Sequence, residues 1–178
     1  MRYRWSIRWW SSCCFWSVIS LVGIAMKIIK NDDVNLKVIS EATEAQSPKS
    51  EITIEGTKLK LIINGVDLEA CIQYDECYLV FTTDDCPFEE SLNIYLLSGE
   101  NEIIDSATAF WPYGTGSFKL LGITDPDLVQ FKFFGDKDWQ IKIFKSKRFH
   151  IPYISEPSGV WRKFKFWRSF GVSEVSSQ

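Results

Sequence analysis

From residue 51 onward, apolar and polar side chains alternate in short runs. Turn residues break the runs at roughly 8–12 residue spacing, as in an all-β domain built of half-buried strands. In the run 58–63, Leu59, Leu61 and Ile63 share one face, with Lys58 and Lys60 on the other. Asn64-Gly65 supplies the positive φ angles of a two-residue hairpin turn. The run 66–72 then returns with Val66, Leu68, Ala70 and Ile72 inward and Asp67, Glu69 and Cys71 outward. Beyond the turn at Tyr74-Asp75-Glu76, strands are predicted over 77–83, 92–97, 102–109, 117–123, 128–134 and 139–144. An edge strand is expected over 148–154, because Pro152 cannot donate to a ladder.

Upstream, 34–39 is a short strand, and 40–50 is small, polar and linker-like, with Pro48 near its end. Two short helical turns are also expected. At the first, Asp85 or Cys86 caps, Pro87 takes the first helical position, and Glu89 and Glu90 meet the positive end of the helix dipole. Asp125-Pro126 repeats the signal. No long amphipathic helix follows 50, so folds with crossover helices are disfavoured. The predicted fold is mainly β: a small antiparallel β-sandwich or barrel over 51–155. It is preceded by an apolar helix within 1–30 and a linker over 31–50, and followed by a short basic-aromatic segment over 156–178.

Residues 9–26 carry no charge and follow Arg2, Arg4 and Arg8. A spanning helix needs about 20 apolar residues, so the run is close to sufficient. Trp9 and Trp10 suit the headgroup level, and the arginines favour a cytoplasmic N-terminus, against the vote of Lys27 and Lys30. The expected location is a single-pass membrane protein. A competing reading starts the protein at Met26 and places it in the cytoplasm. Residues 1–25 hold four of the eight tryptophans and no Asp, Glu, Asn, Gln, Lys or Pro, and composition changes abruptly after them. A cleaved signal peptide is disfavoured, because no small-x-small site follows the apolar run cleanly.

The net charge of -3 hides a strong asymmetry. Residues 31–130 carry 19 acids against five bases, whereas 131–178 carry ten bases against four acids. Such a layout suits a basic partner for the body, or a tail that folds back onto it. A solvated acidic face is the plain alternative. Nucleic acid is disfavoured, since its phosphates would meet a negative field.

Candidate chemistry is sparse. His150 is the only histidine, so a two-histidine metal site is excluded and any Ser–His or Cys–His catalysis must use it. It lies in a basic stretch and is expected at the surface. There is no G-x-S-x-G and no C-x-x-C. Cys71 and Cys77 are not opposed across their turn, so they and Cys86 are expected as free thiols. Asp84, Asp85, Glu89 and Glu90 crowd one loop without EF-hand spacing. Trp111 and Tyr113 sit in a glycine-bearing corner loop and combine large area with few rotors. In 160–171, Trp161, Phe164 and Trp167 share a helical face with Phe170, although the stretch also alternates as a strand. These aromatics are expected to dock on the body or in a membrane interface, with Arg168 and its neighbours snorkelling along acidic surface.

The expected function is a membrane-tethered, non-enzymatic interaction module that uses no cofactor or metal. It would present Asp84, Asp85, Glu89 and Glu90, with Trp111 and Tyr113, to a basic protein. The alternatives are a cytoplasmic immunity-type inhibitor of a basic toxin or nuclease, and an enzyme of unassigned type.

Overall fold

The computed structural model describes residues 25–175 except 44–45, 87–88, 113, 115 and 136. Among them run thirteen strands: β1 (Lys27–Ile29), β2 (Val34–Ser40), β3 (Lys49–Ile54), β4 (Lys60–Asn64), β5 (Asp67–Tyr74), β6 (Cys77–Thr83), β7 (Ser91–Ser98), β8 (Glu102–Phe110), β9 (Lys119–Asp125), β10 (Leu128–Lys132), β11 (Asp138–Phe149), β12 (Val160–Trp161) and β13 (Trp167–Glu174). They form three antiparallel sheets. The largest has the order β1-β5-β6-β7-β8-β12, the second β13-β11-β10-β9 and the third β2-β3-β4.

The six-stranded sheet is the middle layer. Side chains alternate across a strand, so one strand can feed two cores. Ala70, Ile72, Leu79, Phe81, Leu92 and Ile94 face a first core, closed by Val129, Phe131, Trp139 and Phe170 of the four-stranded sheet. Cys71, Tyr78, Val80, Tyr95 and Leu97 face a second core, closed by Val34, Ile52, Leu59 and Ile63 of the three-stranded sheet. Burial on both faces explains why β6 and β7 read as nearly continuous apolar runs. In the four-stranded sheet, β10 and the first half of β11 bury one face only. There the alternation is clean: Trp139, Ile141 and Ile143 point in, and Gln140 and Lys142 do not.

Several expectations are corrected. Asn64-Gly65 does not close a hairpin, because β4 pairs with β3 and β5 pairs with β6. The chain instead turns a corner from the third sheet into the first. Gly65 N–H donates to Pro48 O at 3.1 Å and Val66 N–H to Thr83 O at 2.7 Å. This arrangement lets β4 cover the second face of the six-stranded sheet, burial that a local hairpin would forgo. Gly65 has φ +116°, and a Cβ there would lie 2.5 Å from Thr82 Cβ. Strain and overpacking therefore combine. Gly65→Ala is expected to lower stability by roughly 2 kcal/mol or more, as read from urea denaturation. A change under about 0.5 kcal/mol would contradict this account of the corner.

Cys71 is fully buried in the second core rather than outward, and burial pushes its thiol up to about 12. It pairs across the ladder with Val80, while Cys77 pairs with Tyr74; Cys71, Cys77 and Cys86 are all free. The helical turns are absent from the described residues around 84–91, and the chain from Asp125 to Leu128 is a turn between β9 and β10. Residues 151–154 form no strand; Arg148 and Phe149 instead prolong β11 against β13.

The single-pass membrane location is corrected as well. Among the described residues no helix is long and apolar enough to cross a membrane. The expected N-terminal apolar helix falls on residues 1–24, which lie outside the described residues. At the end of the apolar run, Met26 packs against the first core, and Lys27–Ile29 form β1, antiparallel to β5.

Candidate interaction surface

The acidic loop divides into engaged and free carboxylates. Asp84 accepts from Asn93 Nδ2 at 2.7 Å and from the Ser91 hydroxyl. Burial raises its carboxyl, and those two bonds partly offset the rise. Glu90 accepts from the backbone N–H groups of Asp84 and Cys86 at 2.9 and 3.1 Å, so it caps the loop from within. Asp85 and Glu89 are exposed. Trp111 is half-exposed with its ring over Gly159, where a Cβ would lie 2.7 Å from Cε3. Tyr113 lies outside the described residues. No group of three or more His, Cys, Asp or Glu able to hold a metal ion occurs among the described residues.

The basic tail is not a helix. Of its aromatics Phe170 packs on the body, in the first core, whereas Trp161, Phe164, Phe166 and Trp167 are all exposed. Arg168 does the opposite of snorkelling. Its side chain is 2% exposed, with Nη1 3.2 Å from Asp105 Oδ1 and Nη2 2.7 Å from Lys163 O. Asp105, on β8, also accepts from the backbone N–H groups of Ser106 and Ser169 at 2.9 and 2.8 Å. Nearby, Glu156 Oε1 lies 3.6 Å from Arg162 Nη1, 3.9 Å from Arg168 Nε and 3.4 Å from His150 Nδ1. Arg162 also donates to Phe170 O at 3.0 Å and lies over the Phe170 ring. Burial lowers the Arg162 guanidinium from its usual value, and Glu156 and Asp105 pull it back up.

These buried charges tie residues 150–168 to the junction of the two larger sheets. His150 belongs to this cluster, with its side chain 18% exposed, and is not a surface residue. The cluster fixes the conformation of the segment that follows β12. Along Lys163-Phe164-Lys165-Phe166, bases and aromatics alternate. Lys163 and Lys165 line a cleft beside β8, and the aromatics stand in solvent.

The exposed rings are in mutual contact. Phe149 stacks on Phe166 with ring centroids 6.0 Å apart and meets the edge of Trp167 at 5.8 Å. Phe166 meets Phe164 at 5.1 Å, and Phe164 meets Tyr153 at 6.3 Å. Phe149, Tyr153 and Phe164 are each more than 60% exposed, and Ile151 and Ile154 add apolar surface beside them. The tail aromatics are visible in the sequence pattern, but the part of Phe149, the last residue of β11, and of Tyr153, in the loop after it, is not. Alternation around Phe164 and Phe166 was the available signal.

No protein-family model matches the chain, and no curated protein or solved structure matches it.

Proposed function

We propose that the protein is a non-enzymatic binding module that docks another protein on the aromatic face formed by Phe149, Tyr153, Phe164, Phe166 and Trp167. The observation that carries this reading is the continuous chain of exposed rings in mutual contact, one pair stacked and the others edge-on or tilted. Single exposed apolar residues are ordinary, but a contiguous apolar patch with a polar rim marks an interaction site. Aromatic anchors dominate binding energy at such sites, and surrounding charges set approach and partner choice. Lys147, Arg148, Lys163 and Lys165 neighbour these rings along the chain, which favours an acidic partner. The scaffold beneath reads as a β-sandwich of the two larger sheets, with the third sheet laid on its outer face.

A photo-crosslinking side chain placed at Phe164 tests the reading in cells. One discrete protein adduct is expected, absent when the crosslinker sits at Ile39 on the third sheet. The purified partner should bind Phe164→Ala/Trp167→Ala at least about tenfold more weakly than wild type, since hot-spot truncations cost 2 kcal/mol or more. Equal adducts at both positions, or equal affinity for the double variant, would refute it.

The charge layout favours a second reading, in which a basic protein meets the acidic body as an immunity-type inhibitor would meet its toxin. In the loop 84–90 it would use Asp85 and Glu89, because Asp84 and Glu90 are spent on internal hydrogen bonds.

A further inference from the structure

The three-stranded sheet covers β5, β6 and β7 but stops at β4, leaving one face of β8 open. The result is a cleft of about 580 Å3. Ile62 and Asn64 of β4 form one wall, and Trp161, Lys163 and Lys165 contribute to the other. Ser106 and Thr108 line the floor, on the face of β8 opposite the core residues Ala107 and Ala109.

Two features of this cleft select a ligand. The first is charge. Among the described residues neither Lys163 nor Lys165 forms an ion pair, and Lys165 Nζ donates only to Ile104 O, at 3.2 Å. The carboxylate at the cleft, Asp105, is neutralised by Arg168. A chain with a net charge of -3 thus holds unneutralised positive charge in this cleft.

The second feature is an open strand edge. β4 has a single neighbour, β3. Asn64 N–H turns away from β3 to Tyr95 OH at 3.0 Å, and Lys60 N–H turns away to Asn101 Oδ1. In an antiparallel ladder, every second residue directs both its backbone groups to the same edge. Ile62, between these two, therefore presents its N–H and C=O along the free edge, and the residue lines the cleft.

We propose that this cleft binds an extended acidic peptide segment, which forms one backbone rung with Ile62 and sets alternate carboxylates against Lys163 and Lys165. Strand addition supplies affinity through main-chain hydrogen bonds, and alternate side chains supply specificity. The inference rests on the reading that the protein binds another protein, and it names the chemistry of the partner's segment. Lys163 and Lys165 interleave with Phe164 and Phe166, so a partner seated on the aromatic face has this cleft beside it.

The test is fluorescence polarisation with the full chain and short labelled peptides of alternating glutamate and valine, glutamine and valine, or lysine and valine. An oligo-thymidine of similar length is the nucleic-acid arm. The acidic peptide alone should bind, and added salt should weaken it. Lys163→Glu/Lys165→Glu should weaken it at least about tenfold, and Ile62→Pro should weaken it while leaving the far-ultraviolet circular dichroism unchanged, since an edge strand tolerates a lost outward N–H. Failure of the acidic peptide to bind, equal binding of the glutamine peptide, or tighter binding of oligo-thymidine would overturn the proposal. Phe164→Ala/Trp167→Ala should leave peptide affinity intact. Loss of partner capture with intact peptide binding, or the reverse, separates failure of the aromatic face from failure of the cleft.

Discussion

Asp105→Ala should destabilise the protein by about 3–5 kcal/mol, as measured by urea denaturation at neutral pH. The variant leaves the Arg168 guanidinium, 2% exposed, without its nearest carboxylate. Glu156 lies 3.9 Å from Nε, too far to replace a hydrogen-bonded pair. Two backbone N–H groups, of Ser106 and Ser169, also lose their acceptor. Arg168→Met should cost less, because Asp105 keeps both of those N–H donors and methionine fills much of the vacated volume. The double variant should recover part of the loss, giving a favourable coupling energy in the cycle. Asp105→Ala within about 1 kcal/mol of wild type would mean that water reaches the pair and that the ion cluster does not organise residues 150–168.

Phe81→Ala should cost about 3–5 kcal/mol and lower the melting temperature by roughly 2–4 °C for each kcal/mol. Phe81 is fully buried at the centre of β6, with ring centroids 5.1 Å from Phe118 and 5.4 Å from Phe131. It bridges the six- and four-stranded sheets, so truncation opens a cavity between two layers held apart by other large side chains. Collapse into that space is resisted by Leu79 and Ile94 on the same core. The cost should therefore lie in the upper part of the range. A loss below about 2 kcal/mol would imply that the sheets close over the gap.

The strands themselves were largely legible from local pattern. The run predicted over 77–83 is β6, and the runs at 92–97 and 102–109 fall within β7 and β8. Pairing was legible where a turn joins neighbours, as between β5 and β6 at Tyr74-Asp75-Glu76, but not across the sheets. Asn64-Gly65 carries a hairpin signal, but its glycine serves a corner whose partners, Pro48 and Thr83, are remote in sequence. Cys71 was assigned outward because alternation assumes one buried face, and nothing local announces a third sheet over the other.

The proposed interaction surface was half legible. Trp161, Phe164 and Trp167 were recognised as a group, and they are exposed together. The role of Arg168 was hidden because Asp105 lies 63 residues earlier. Crowding of Asp84 and Glu90 suggested an open charged loop. The side-chain bonds to Asp84 depend on β7 placing Ser91 and Asn93 beside it, which no spacing within the loop reveals, whereas Glu90 accepts from backbone N–H groups of the loop itself.

Because β6 and β7 send alternate side chains into both cores, neither core can open while the other stays closed. Thermal unfolding should accordingly be one cooperative transition rather than two. The amide protons of Leu79, Val80 and Ile94 should exchange with solvent only through opening of the whole domain, while those of residues 150–154 exchange far sooner.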